Sequence, residues 1–301
     1  MKNNKLRSFT KILVLAVLAL SMTSCYDDFV ENEFEFTSVY LPKETIDRTF
    51  IMGEGMQIGV GVVLGGRLDN REDVEVSFSL DESLLDPGSA LPASYYSLVD
   101  ADGNPANNKI IIPAGKTQGF VYVKADSINF LNDPVSLGNN YALGFTLDNV
   151  VKADSILVDY KSTKITFTYI NQLYGNYVQK GAYTKDDGTT VETVEYPKDN
   201  SNISEAIELT MVSPNTLEYK GLLNLGDDRK LNLVVADDNS ITIETAPGGV
   251  NVVDDGGSSY NPDTREIKLN YSFSYNGVDY KVSDVLEFRN RIVDGVNQYD
   301  I

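Results

Sequence analysis

The chain of 301 residues contains no histidine and no tryptophan, and its one cysteine is Cys25. Without histidine, Ser-His-Asp and Cys-His catalysis and histidine-ligated zinc are excluded. A single cysteine cannot form an intrachain disulfide, so packing alone must stabilise the folded chain. Without tryptophan, the usual platform for stacking a sugar ring is missing, and the 18 tyrosines would have to take that role.

Basic residues are also scarce. Residues 1–24 hold four of the 25 basic residues and none of the 44 acidic ones, so the chain beyond them has a net charge of −23. Such a chain repels phosphate backbones, so nucleic acid is not an expected partner. It offers no basic patch to anionic lipid. The hydrophobic share of 42% is enough to build real cores, and the length fits two domains.

The first 24 residues have the pattern of a signal peptide. Four basic residues precede an unbroken apolar run at residues 12–20, which is too short to span a bilayer. Small and polar residues then lead to Cys25, as in a bacterial lipoprotein signal. We expect cleavage before Cys25 and acylation of its thiol and new amino group. The alternative is an ordinary secretion signal followed by a chance cysteine.

Residues 25–35 form an acidic tether. Asp27 and Asp28 follow the cysteine closely and resemble the surface-export signal of Bacteroidota-type lipoproteins. This resemblance predicts an outer-membrane lipoprotein that faces the cell surface and contacts the membrane through its lipid only. The alternative is a solvated tether that merely holds the folded body away from the membrane.

Residues 36–170 predict an immunoglobulin-like β-sandwich, because short alternating stretches are separated by Gly, Asn, Asp and Pro. The segment 119–124 is largely apolar on both faces, which is typical of an interior strand. The predicted strands are 37–41, 56–64, 74–80, 109–112, 119–124, 141–147 and 164–169.

Residues 171–301 predict an antiparallel meander of hairpins. Alternation at 207–211, 231–235 and 267–275 is broken by turn residues, and Asn276-Gly277 is a strong hairpin signal. Such a meander curls into a barrel or stacks as a second sandwich. We favour a lipocalin-like β-barrel, with Tyr271, Phe273 and Tyr275 in its core. The chain as a whole is predicted to be all-β.

Short motifs in both halves resemble a known family. They are LPASYYSL (91–98), IIPAGK (111–116), YAL (141–143), YNPD (260–263) and LEFR (286–289). The first three resemble an Ig-like domain of unknown function in Bacteroidota outer-membrane lipoproteins, which also occurs ahead of endo-β-N-acetylglucosaminidase modules. The last two resemble a β-rich domain that often follows it. The resemblance implies a protein that acts beside glycan-uptake loci, often as a surface glycan-binding protein. It supplies no catalytic residues.

Acidic clusters are interpreted as turns. Asp100, Asp102 and Asn104 alternate as in a calcium loop, but the later ligands are missing. Two carboxylates could hydrolyse a glycosidic bond without histidine, yet no acid stands in a sequence setting that would raise its pKa. We therefore expect no enzyme activity, no cofactor and no metal.

Tyrosines in or beside loops are the candidate ligand contacts, namely Tyr183, Tyr196 and Tyr260. Each could stack on the C–H face of a sugar, or could simply pack at the rim of the domain. The leading hypothesis is a non-enzymatic surface lipoprotein that binds a neutral or amino-sugar glycan beside an outer-membrane transporter or glycosidases. The alternatives are a structural or adhesive, fimbria-associated protein, and an accessory to a glycoside hydrolase or an unrecognised hydrolase.

Overall fold

The fold comes from a computed structural model that describes residues 36–67, 70–196, 206–220 and 229–299. Within these ranges the chain is nearly all β, and the only α-helix is α1 (Ser127–Asn132). No helix among them is long and apolar enough to cross a bilayer. Short 3₁₀ turns cover Glu82–Leu84, Ala93–Tyr95, Pro134–Ser136 and Val158–Tyr160. The signal peptide, Cys25, Asp27 and Asp28 lie outside the described residues and stay predictions.

Two facing sheets form the first half. The strands are β1 (Ser38–Tyr40), β2 (Thr45–Ile51), β3 (Gln57–Gly65), β4 (Val74–Leu80), β5 (Tyr96–Val99), β6 (Lys109–Ile112), β7 (Gln118–Ala125), β8 (Tyr141–Val151), β9 (Ser155–Ile156) and β10 (Ser162–Ile170). Their orders in the described chain are β5-β7-β3-β1-β9 and β2-β10-β8-β4-β6. The predicted sandwich is confirmed. All seven predicted strands are present, whereas the sequence does not predict β2, β5 or β9.

Period-two alternation builds the sandwich core. In β4, Val74, Val76 and Phe78 point inward, while Glu75 and Ser77 between them stay partly exposed. Aromatic rings fill the space between the sheets: the Phe50 ring centroid lies 5.4 Å from that of Phe167. Burial of these apolar faces is the main stabilising term in a domain without a disulfide.

The second half is one long antiparallel sheet that curls on itself. Its strands are β11 (Gly175–Asp186), β12 (Val191–Tyr196), β13 (Ala206–Ser213), β14 (Thr216–Tyr219), β15 (Leu231–Val235), β16 (Ile241–Thr245), β17 (Val252–Asp254), β18 (Ser259–Asn261), β19 (Glu266–Tyr275), β20 (Val278–Val293) and β21 (Val296–Gln298). The main path in the described chain is β16-β15-β14-β13-β11-β20-β19-β17. β12, β18 and β21 pair with β11, β19 and β20 respectively.

The two ends of this sheet meet, so that the barrel is nearly closed. The backbone N–H of Ile241 donates to the carbonyl of Ser258 at 3.0 Å, and that of Tyr260 donates to Asn239 at 2.9 Å. These bonds connect the start of β16 to β18 and leave little unpaired edge. The predicted lipocalin-like barrel is confirmed.

The hairpin between β19 and β20 fixes the register of the barrel wall. Asn276 and Gly277 have φ angles of 50° and 79°, the left-handed conformation that a two-residue type I′ turn requires. Tyr275 then pairs with Val278. In this register Tyr271 and Phe273 are buried in the barrel, as predicted.

The sandwich and the barrel have separate cores and contact each other. β10 ends at Ile170 and β11 begins at Gly175, while Met211 packs against both cores. Arg291, only 1% exposed, places its Nη2 2.8 Å from the Glu54 Oε1 of the sandwich. The predicted boundary near residue 171 concerns independent folding and stays a prediction.

Candidate functional site

A buried carboxyl lies inside the barrel. Asp284 on β20 is 1% exposed. Its Oδ2 accepts hydrogen bonds from the hydroxyls of Tyr219 at 2.7 Å and Tyr271 at 3.1 Å, and from Gln179 Nε2 at 2.9 Å. Its Oδ1 accepts a hydrogen bond from the hydroxyl of Tyr196. We call these five residues the polar cluster.

Burial perturbs the protonation of this cluster. Desolvation raises the pKa of Asp284 to about 8, although the hydrogen bond from Gln179 opposes the shift. The carboxyl is therefore mostly protonated at neutral pH. Burial also raises the pKa of the Tyr219 and Tyr271 hydroxyls, so that both stay neutral.

The expectation that no acid has a raised pKa is thus wrong for Asp284. A signal for it exists in the sequence. Val282, Asp284 and Leu286 share the inward phase of β20, and an acid at an inward position must be desolvated when the strand folds. The raised pKa would suit a general acid, but Asp284 is enclosed by its own donors and reaches no open surface.

Aromatic rings extend from the polar cluster toward one end of the barrel. Successive ring centroids are 5.9 Å apart for Tyr196–Tyr183, 6.0 Å for Tyr183–Tyr280, 4.9 Å for Tyr280–Phe273 and 6.2 Å for Phe273–Tyr271. The first and last tyrosines of this series, Tyr196 and Tyr271, both donate a hydroxyl hydrogen bond to Asp284. The Asp284 carboxyl therefore links the two ends of the series. We call these five rings the aromatic cluster. Tyr183, Tyr196 and Tyr280 are partly exposed.

An open depression of about 830 Å³ adjoins the aromatic cluster. Tyr280 contributes its partly exposed ring, and Phe273, which is 5% exposed, borders the depression from the core side. Polar groups that can donate or accept hydrogen bonds surround them, including Asn251, Asp279 and Lys281. This size and this mixture of flat apolar rings with polar groups are typical of small-ligand sites.

The structure separates the three predicted tyrosines. β11 and β12 pair and bring Tyr183 and Tyr196 together. Tyr260 is only 6% exposed and lies on β18, where it packs into the barrel core opposite Ile267. Its ring is therefore not available on the surface for stacking. Sequence reasoning did not select Tyr280 or Phe273, which line the depression.

The Asp100 segment is a turn, as predicted. Asp100 Oδ1 accepts from the backbone N–H groups of Asp102 and Asn104, at 2.9 Å each, as in an Asx-type turn. These hydrogen bonds hold the pKa of Asp100 below its usual range. Within the described ranges, no three His, Cys, Asp or Glu side chains are arranged to hold a metal ion.

Comparison with known proteins supports the fold. A family model described as an N-terminal domain matches residues 32–154. A structure of a Bacteroides ovatus protein of unknown function superposes with a TM-score of 0.70 at 22% identity, covering 88% of this chain and 98% of the other. The chain is thus similar in fold to a Bacteroides protein of unknown function. No curated protein matches it.

Two more distant structures have descriptive names. An auxiliary nutrient-binding protein of Bacteroides thetaiotaomicron has a TM-score of 0.41 at 13% identity, covering 84% of this chain and 92% of its own. A candidate carbohydrate-binding protein of Bacteroides ovatus has a TM-score of 0.32 at 13% identity, covering 87% and 72%. At these scores neither name assigns a function to this chain.

Proposed function

We propose that this protein is a non-enzymatic, surface-anchored lipoprotein that binds a glycan and assists its capture and uptake. The observation that carries the proposal is the aromatic cluster at one end of the barrel, beside an open depression with polar walls. Flat rings can stack on the C–H faces of a sugar, while amide and carboxylate groups bond its hydroxyls.

Charge narrows the class of ligand. With a net charge of −23 beyond residue 24, the protein repels acidic polysaccharides, although salt screens that repulsion beyond about 8 Å. A neutral or amino-sugar glycan fits better. Because tyrosine offers a smaller stacking surface than tryptophan, we expect dissociation constants between micromolar and millimolar, about 4–8 kcal/mol of binding free energy. Many copies on one cell surface would compensate through avidity.

The setting of Asp284 supports binding over catalysis. Its carboxyl is enclosed by the polar cluster, where its hydrogen bonds orient Tyr196 and Tyr271. A glycosidase needs a second carboxyl across a cleft that admits the substrate. Asp284 lies in the barrel core and meets no such cleft.

The test is calorimetry of the chain downstream of Cys25 against neutral and amino-sugar oligosaccharides. We expect Tyr183→Ala and Tyr196→Ala each to weaken binding at least tenfold, whereas Tyr196→Phe keeps its ring and should bind more tightly than Tyr196→Ala. Tyr299→Ala removes an exposed ring on the same half of the chain and serves as the control. If no oligosaccharide binds at millimolar concentration, or both alanine variants bind as wild type, the proposal is wrong and the structural role becomes the better hypothesis.

A further inference from the structure

A second aromatic surface lies on the sandwich. Phe120 and Tyr122 alternate on β7, and their side chains point away from the core that Val121 and Val123 enter. Phe120 is 41% exposed, which is unusual for a phenylalanine in the middle of a sheet. The two ring centroids are 6.2 Å apart, and the ring planes are inclined by 31°. The sequence predicts an interior strand here, and β7 is one in sheet order, but this face of it is open.

Glycines on the neighbouring strand let the rings lie against the sheet. Gly61 pairs with Phe120 and Gly59 with Tyr122 across β3 and β7. A Cβ atom on Gly61 would lie 2.8 Å from Phe120 Cε1, and one on Gly59 would lie 3.3 Å from Tyr122 Cε1. Because both positions lack side chains, one side of each ring rests on backbone. The opposite sides of the Phe120 and Tyr122 rings face solvent.

The rings belong to an open depression of about 800 Å³. Ile111, which is 42% exposed, extends the apolar floor. Asp102, Asn107 and Lys116 are among the polar residues around it. The site therefore offers an aromatic floor with hydrogen-bonding groups of both charge signs at its edges.

The position of β7 limits what can bind. Because β7 lies between β5 and β3, its backbone groups are already paired, and a partner cannot add a strand to it. Contact must be made through the ring faces. Acidic and basic groups both border the site, so it does not select a polyanion or a polycation. A neutral ligand with flat C–H faces and many hydroxyls can stack on the aromatic rings and form hydrogen bonds with the polar residues around them.

We propose that Phe120 and Tyr122 form a second saccharide-binding surface, on the sandwich and separate from the barrel site. Two neighbouring rings at this spacing suit successive sugar units of one chain. The inference stands on its own geometry, since no residue is shared with the aromatic cluster of the barrel. It gives the sandwich a binding role of its own.

The experiment uses the whole chain downstream of Cys25 carrying Tyr183→Ala and Tyr196→Ala, the two changes expected to disable the barrel site. The probes are the hexasaccharides of β-1,4-linked glucose, mannose, xylose and N-acetylglucosamine, and of α-1,4-linked glucose. We expect calorimetry to detect residual binding of at least one probe. Adding Phe120→Ala should weaken it at least tenfold, whereas Phe120→Tyr should preserve it. Tyr160→Ala removes another exposed ring of the sandwich and should change nothing.

A direct measurement covers the case in which Phe120→Ala does not fold. The chain is labelled with 4-fluorophenylalanine, and the ¹⁹F signal of Phe120 is assigned as the one that disappears in Phe120→Tyr. Saturable movement of that signal with a bound probe supports the proposal, and an unmoved signal overturns it.

The outcomes separate the two proposals. If the barrel variants abolish all binding, the sandwich site is wrong and the barrel site stands. If Phe120→Ala alone abolishes binding, the sandwich site stands and the barrel site is wrong. If no probe binds, both are wrong. If Phe120→Ala instead abolishes a concentration-dependent dimer without affecting any sugar, the surface is an interface between copies and the inference is overturned.

Discussion

Replacing Asp284 by asparagine should change how the stability of the barrel depends on pH. In the folded chain burial raises the pKa of Asp284 to about 8, whereas the pKa of an aspartate in the unfolded chain lies near its ordinary value of 3.8. Between these values the unfolded state has released its proton and the folded state has not. The unfolded state then binds fewer protons, so the free energy of unfolding falls as pH rises. This contribution is fully present below pH 4 and is lost as pH rises through about 8.

The size of the effect follows from the slope of the unfolding free energy against pH. One pH unit corresponds to about 1.4 kcal/mol for a single proton, so the wild type should lose about 3 kcal/mol relative to Asp284→Asn between pH 5 and 7. Over the whole window, from pH 3.8 to about 8, the difference approaches roughly 6 kcal/mol. The amide cannot ionise and has nearly the same shape. Its N–H can also donate to Gln179 Oε1, a buried atom without a partner in the described residues.

The assay is urea denaturation at pH 5, 6, 7 and 8 at constant ionic strength, followed by tyrosine circular dichroism. Other acids also titrate, so the informative quantity is the difference between variant and wild type at each pH. Asp237→Asn, in the exposed turn between β15 and β16, serves as the control and should show a constant difference. A constant difference for Asp284→Asn as well would refute the reasoning. The four donors around Asp284 would then hold it as a carboxylate at every pH tested.

Three further predictions address the sandwich, the predicted lipid anchor and the predicted export signal. Gly119→Ala should destabilise the sandwich by about 1–3 kcal/mol or more, because a Cβ there would lie 2.3 Å from the carbonyl oxygen of Ile111; an unchanged urea midpoint would contradict this. Cys25→Ala should release the protein from the membrane fraction, and Asp27→Ala with Asp28→Ala should protect it from protease added to intact cells. Unchanged detergent partitioning of the first variant, or undiminished cleavage of the second, would argue against these roles.

Local alternation made most of the fold predictable. The strands at 74–80 and 109–112 match β4 and β6 residue for residue, and Asn276-Gly277 forms the predicted hairpin. β2 was missed because Asp47 and Arg48 interrupt its apolar pattern. It is an edge strand that pairs in parallel with β10, and Thr45 lies opposite Lys164, far along the chain. A distant parallel partner leaves no hairpin signal between the two strands.

The candidate site was only partly predictable, for a related reason. Tyr183 and Tyr196 come together because β11 and β12 are neighbours in sequence. The polar cluster instead gathers Gln179, Tyr219 and Asp284 from three strands. Alternation shows that such residues point inward, but it does not show at which level of the barrel each one lies. That level depends on strand register, which in a barrel is set by pairings around the whole sheet.

Burying the Asp284 carboxyl in the polar cluster costs desolvation free energy, and its contacts with the aromatic cluster suggest why the chain keeps it there. Apolar residues in place of the whole polar cluster would avoid the desolvation of a carboxyl, and such replacements are often neutral or stabilising. Asp284 does something that a leucine could not, since it accepts hydrogen bonds from both ends of the aromatic series, Tyr196 and Tyr271. These bonds fix the hydroxyls, and hence the rings, in one arrangement. A stacking site gains affinity when its rings are held in place before the ligand arrives. Under this proposal, the buried carboxyl supports the proposed binding surface by fixing the rings that form it.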